Sequence, residues 1–191
     1  MRPIRPLLAA GLVMASGTAL AHPGHEVLSL ASGLAHPFGG ADHLLAMLAV
    51  GLYAARQGGA ARWALPAAFV GAMLAAAALA NAGMHLPLVE FGIATSVLVL
   101  GLMIAALVRL PLALSLPLVS VFALCHGAAH VAEKGSAGLL AYAVGFALAS
   151  AALHGLGWLL GRQLPQSDLG KQVQRVAGGA IAIAGGVLLG A

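Results

Sequence analysis

The chain has 191 residues, of which 61% are hydrophobic and only 7% charged. A soluble domain carries about 25% charged residues, so this composition excludes an ordinary soluble protein and defines an integral membrane protein. The net charge of +4 sits on scattered single arginines and lysines without interleaved aromatics, which excludes a nucleic-acid surface, and one cysteine, Cys125, excludes an internal disulfide or a Cys-rich metal site.

The first element is a signal peptide. Arg2 and Arg5 give a basic start, Leu7 to Met14 a short apolar run, and Ala19-Leu20-Ala21 a cleavage site of the A-x-A kind. Residues 1–21 are therefore expected to be removed. The remaining residues, 22–191, are expected to form one all-α transmembrane domain of six helices. The mature chain would begin His22-Pro23-Gly24-His25-Glu26, on the periplasmic face of a bacterial inner membrane.

Six apolar stretches follow, each near the ~20 residues a bilayer requires. They run from about Val27 to Ala55, Trp63 to Asn81, Leu88 to Val108, Leu112 to Ala132, Ala137 to Leu160 and Val173 to Gly190. The first is too long for a simple span and contains Ala35-His36-Pro37-Phe38-Gly39-Gly40-Ala41-Asp42-His43. Pro37 lacks a backbone donor, and Gly39-Gly40 permits backbone angles other residues avoid. A helix is expected to break there and restart near Ala41. Broken helix at membrane depth is tolerated where it is buried in protein or lines a cavity, and transporters build ion sites this way. In the fifth and sixth spans, Gly138, Gly145, Gly178, Ala182 and Gly186 read as close helix packing.

With the mature N-terminus outside, Arg56, Arg62, Arg109, Arg162, Lys171 and Arg175 all face the cytoplasm, and only Lys134 lies outside. That satisfies the positive-inside rule. The same topology brings His36, Asp42, His43, Glu90, His126, His130 and Glu133 to one membrane face. His126, His130 and Glu133 stand at i, i+4 and i+7, a helical stripe about 10 Å long with metal-ligand spacing. Asp42 either binds a metal directly or holds an imidazole in the required tautomer. Met47, one turn below His43, is a possible thioether ligand, with core packing as the plainer role. Glu90 is either a ligand or a carboxylate stabilised at a helix N-terminus. The free amine and imidazole of His22, with His25 and Glu26 as further donors, read either as a weak exchangeable chelate at the entrance or as a disordered polar tail. His85, His154 and Cys125 read as structural residues.

These residues carry a resemblance to a known family. The pattern H-P-x-x-G-x-D-H-x-x-x-M is met by His36, Pro37, Gly40, Asp42, His43 and Met47. A second pattern, near F-H-G-x-A-H-G-x-E, is met by His126, Gly127, Ala129, His130 and Glu133, and departs at Cys125 and Val131. The chain resembles the HupE/UreJ family of bacterial membrane proteins over its whole length. The resemblance implies a supply of nickel to hydrogenase or urease, by import of Ni²⁺, or Co²⁺ in some members, as cargo rather than as a prosthetic group.

The favoured reading is a non-enzymatic secondary permease or facilitator for a divalent transition metal. Imidazole and carboxylate suit Ni²⁺ and Co²⁺ but also Zn²⁺ and Cu²⁺, and the chain contains no Gly-x-x-x-x-Gly-Lys-Ser/Thr motif for ATP-driven transport. Two other readings remain: an intramembrane zinc-dependent hydrolase, and a periplasm-facing metal chaperone or sensor. The expected partners are the metal ion and the lipid bilayer.

Overall fold

The computed structural model describes residues 29–129 and 138–191. Residues 1–21, expected to be a signal peptide, and His22, His25, His130 and Glu133 lie outside the described residues. Seven helices and no strands occur among those described: α1 (Leu30–Gly39), α2 (Ala41–Gln57), α3 (Ala61–Asn81), α4 (Val89–Ala105), α5 (Leu112–Ala128), α6 (Leu139–Gln163) and α7 (Asp168–Gly190).

Helices α3, α6 and α7 are each long and apolar enough to cross a membrane. The pair α1 and α2 passes the same test together, bent by 87° at the break. Helices α4 and α5 are apolar but have 17 residues each, the short end of the spanning range. Many large apolar side chains face outward, among them Phe38, Trp63, Leu140, Val176 and Ile183. In a polytopic membrane protein this is the surface that meets lipid tails.

The break falls at Gly40, and α2 restarts at Ala41 as the sequence predicts. Its cause differs from the one expected. Helix α1 opens with a capping box in which Ser29 Oγ accepts from the Ser32 backbone and Ser32 Oγ accepts from the Ser29 backbone. It then runs through Pro37 to Gly39. Gly40 lies at φ −122°, ψ 131°, extended backbone that any residue adopts. A Cβ there would press on Asp42 Oδ1, so a larger residue would push the carboxylate from its place beside His43.

Lateral packing is set by glycines. Helix α6 is the spine against which α1 and α2 lie. A Cβ at Gly33 would strike the Tyr142 backbone, and one at Gly145 the Leu30 and Leu34 backbone. Lower down, Gly51 meets the His154 carbonyl and Gly157 the Leu48 carbonyl. Helix α5 packs on α3 with Gly127 against the Met73 carbonyl. Helix α7 packs on α4 through Gly178, Gly185 and Gly101. The buried core between these pairs holds Met47, Val50, Tyr53, Leu65, Phe69 and Leu100.

Replacing Gly127 tests this packing. Gly127→Val should separate α3 from α5 and destabilise the detergent-solubilised protein by about 1–3 kcal/mol or more, the usual cost of overpacking. A lowered thermal midpoint or aggregation on size-exclusion is the expected observation. Gly186→Val, where nothing lies within 4 Å of the added Cβ, should be near neutral in the same assay.

Candidate metal centre

Three imidazoles from three helices meet beside the break. His36 lies near the end of α1, His43 in the first turn of α2 and His126 near the end of α5. The His36 and His43 rings meet edge to face with centroids 5.5 Å apart, and His43 meets His126 edge to face at 4.7 Å. Aromatic walls enclose the row. Tyr142 and Phe146 of α6 stand 5.8 and 5.4 Å from His36, and Phe69 of α3 stands 5.5 Å from His126. His126 is fully buried and His43 nearly so, while His36 and Asp42 are half-buried.

Hydrogen bonds define which nitrogens hold lone pairs. Asp42 Oδ1 accepts the His43 backbone N–H at 2.7 Å and lies 3.0 Å from His43 Nδ1. An ionised carboxylate only accepts, so Nδ1 carries a proton, and in the neutral ring the lone pair is on Nε2. Asp42 also sits in the first turn of α2, where the helix dipole favours a negative charge. At His126, Ser96 Oγ lies 2.9 Å from Nε2 and donates its single proton to the Ile93 carbonyl at 2.6 Å. The hydroxyl must therefore accept from His126 Nε2–H. In the neutral ring this leaves the lone pair on Nδ1. The two closest imidazoles thus have their tautomers set by neighbours that are not themselves at the centre of the row, the arrangement typical of metal-ligating histidines.

Other residues singled out from the sequence lie elsewhere. Met47 is buried in the apolar core one turn beneath His43. Glu90 is exposed at the start of α4. With His85, Ala128 and Ala129 it lines a separate cleft of about 240 Å³. Cys125 Sγ lies against Gly92 of α4. Among the described residues, no three His, Cys, Asp or Glu side chains form a ready-made metal site. Sequence reasoning missed Ser96, Phe69, Tyr142 and Phe146. Of these only Ser96, a hydroxyl inside an apolar run, carried a signal.

The fold and this row define a multi-pass α-helical membrane protein with a buried histidine cluster at a helix break. Residues 10–188 match the family model described as HupE / UreJ protein. Over 170 residues the chain is 42% identical to "Protein HupE" of Rhizobium leguminosarum bv. viciae, covering 88% of each chain. The chain belongs to the HupE/UreJ family, one of metal-transport or accessory proteins. No solved structure matches it.

Ser96→Ala removes the acceptor that orders the His126 ring. Nitrogen NMR of ¹⁵N-histidine-labelled protein should show His126 as the Nε2–H tautomer in the parent and as a mixture in the variant. The midpoint of unfolding should change by little more than one neutral hydrogen bond is worth, about 1 kcal/mol.

Proposed function

We propose that the protein is a secondary permease or facilitator that carries a divalent transition metal, Ni²⁺ or Co²⁺, from periplasm to cytoplasm. The observation that carries this reading is the 4.7 Å approach of His43 and His126, from separate helices, with Asp42 and Ser96 fixing their tautomers. Family membership and the relative named HupE support a role in metal uptake or accessory metal supply.

In this reading the cation is bound by the His43 Nε2 and His126 Nδ1 lone pairs, with His36 beside them. His130 and Glu133 follow His126 at ligand spacing and complete the coordination. Asp42 acts through His43: its charge strengthens the imidazole as a donor and offsets part of the cation's charge. Met47 remains a packing residue below the site. Glu90 stands at the outer cleft, where a carboxylate attracts cations, and His22 and His25 form the entrance chelate. The chain is inserted in the bacterial inner membrane as six spans after signal cleavage, N-terminus outside. The short α4 and α5 count as spans in this topology. The membrane potential, about 2.3 kcal/mol per charge per 100 mV, then drives a divalent ion inward.

Radioactive nickel uptake into proteoliposomes decides among the readings. The parent protein should accumulate metal inside. Asp42→Asn, similar in size but uncharged, should fold and insert yet lose at least about 90% of uptake. Binding without accumulation by the parent would favour the chaperone or hydrolase readings, and near-normal uptake by Asp42→Asn would remove that residue from the mechanism.

Affinity should also depend on pH. An imidazole binds metal only when neutral, and its unperturbed pKa is about 6.5. Protons compete with the cation, so affinity falls as pH drops. With several imidazoles in one site, calorimetry in detergent should show a loss steeper than one proton per metal between about pH 7 and 5.5. A flat profile would show that neutral histidines are not the ligands.

A further inference from the structure

One intramembrane imidazole is not used by the site described above. His154 lies in the middle of α6, 1% exposed, and neither ring nitrogen has a hydrogen-bond partner among the described residues. Buried polar atoms are almost always paired, and ionisable groups inside membranes generally line a substrate or ion path. Its neighbours point the same way. The His154 ring packs edge to face on Phe69 at 5.2 Å, and Phe69 is also 5.5 Å from the His126 ring. A single phenyl ring therefore separates His154 from the outer histidine row.

One turn along the same helix faces, two more donors stand together. Ser150 Oγ donates to Met73 Sδ at 4.0 Å, and both residues are buried. Ser150 is four residues before His154 on α6, and Met73 four after Phe69 on α3. The α3–α6 seam is thus a two-rung ladder, Met73 with Ser150 and Phe69 with His154. Gly127, the residue after His126, meets the Met73 carbonyl, so the upper rung packs beside the end of α5 that carries the outer row. The lower rung is fixed from the third side by α2, whose Gly51 meets the His154 carbonyl.

Resting on the permease reading, we propose that His154, with the Met73 thioether and the Ser150 hydroxyl one turn outward, forms an inner station that receives the divalent transition-metal cation from the outer histidine row past Phe69. A neutral imidazole offers one lone pair, and a thioether and a hydroxyl are weak ligands. Such a station binds weakly and releases readily, as a transfer point must. Nitrogen and sulfur donors also favour later transition metals over Mg²⁺ or Ca²⁺.

The test uses the full chain with Ni²⁺ as the probe. His154→Leu removes the donor and fills the space with an apolar side chain. His154→Cys keeps a donor and guards against a variant that merely misfolds. Equilibrium dialysis in detergent should find a second, weaker Ni²⁺ equivalent in the parent and in His154→Cys, absent from His154→Leu. Calorimetry should place the tight outer affinity of all three within about threefold. In proteoliposomes His154→Leu should lower nickel uptake at least about tenfold, the size of effect usual for residues around a metal path, and His154→Cys should restore part of it. An unchanged second equivalent in His154→Leu overturns the station whether or not the vesicles accumulate metal. Uptake within twofold of the parent, or loss of tight outer binding in both variants, overturns it as well. Failure of the parent to accumulate nickel is a different result: it sinks the permease reading, while dialysis still decides whether His154 binds metal.

Discussion

Helices meet here with no side chain between their backbones, and the polar site depends on that. Inside a bilayer, lipid tails compete for apolar surface as well as leucine does, so association rests on close packing rather than on water exclusion. Gly33 and Gly145 interlock α1 with α6, Gly51 and Gly157 do the same for α2 and α6, and Gly127 seats α5 on α3. Each of these contacts lies beside a histidine. Gly33 is one turn before His36, Gly127 follows His126, and Gly51 rests on the His154 carbonyl. A separation wide enough for ordinary side chains would move the rings of His43 and His126 apart from their 4.7 Å approach.

The sequence displayed this logic unevenly. A proline and two glycines between His36 and Asp42 were enough to read a break and a restart at Ala41, although the helix runs through Pro37 and ends only at Gly39. The role of Gly40 was not legible. Its backbone is ordinary, and what a larger residue would disturb is the Asp42 carboxylate lying against it. The small residues of the last two spans were read together as packing. Gly145, Gly178 and Ala182 do meet another helix, Gly186 faces open space, and Gly138 supplies a left-handed residue at φ 84° before α6. In spans that are apolar on every side, periodicity cannot tell a lipid-facing glycine from a helix-facing one.

Similar reasons hid part of the site. His43 and His126 announce themselves as polar residues in apolar runs, but their meeting depends on how α2 and α5 are held by α3 and α6. Ser96 follows Thr95 in an otherwise apolar run, where a serine usually bonds its own backbone. It does bond Ile93, and that bond is what forces its oxygen to accept from His126. His154 read as a structural histidine because nothing near it in sequence is polar except Ser150. Its position below Phe69 exists only in the packed bundle.

In the permease reading, the donor set suits movement more than storage. A cation held by several carboxylates in a dry site would gain Coulomb energy that grows as the dielectric falls, and leaving would cost the same amount. In the proposed site the two closest donors are imidazoles, and Asp42 reaches the centre through the His43 ring rather than by its own oxygens. The carboxylate's charge is therefore felt at a distance, weakened but still favourable. Asp42 remains half-buried at the helix start, where it accepts the His43 backbone N–H and the dipole favours its charge. That arrangement lets a site be empty without burying a bare charge and full without trapping its ion, which a path through a membrane requires.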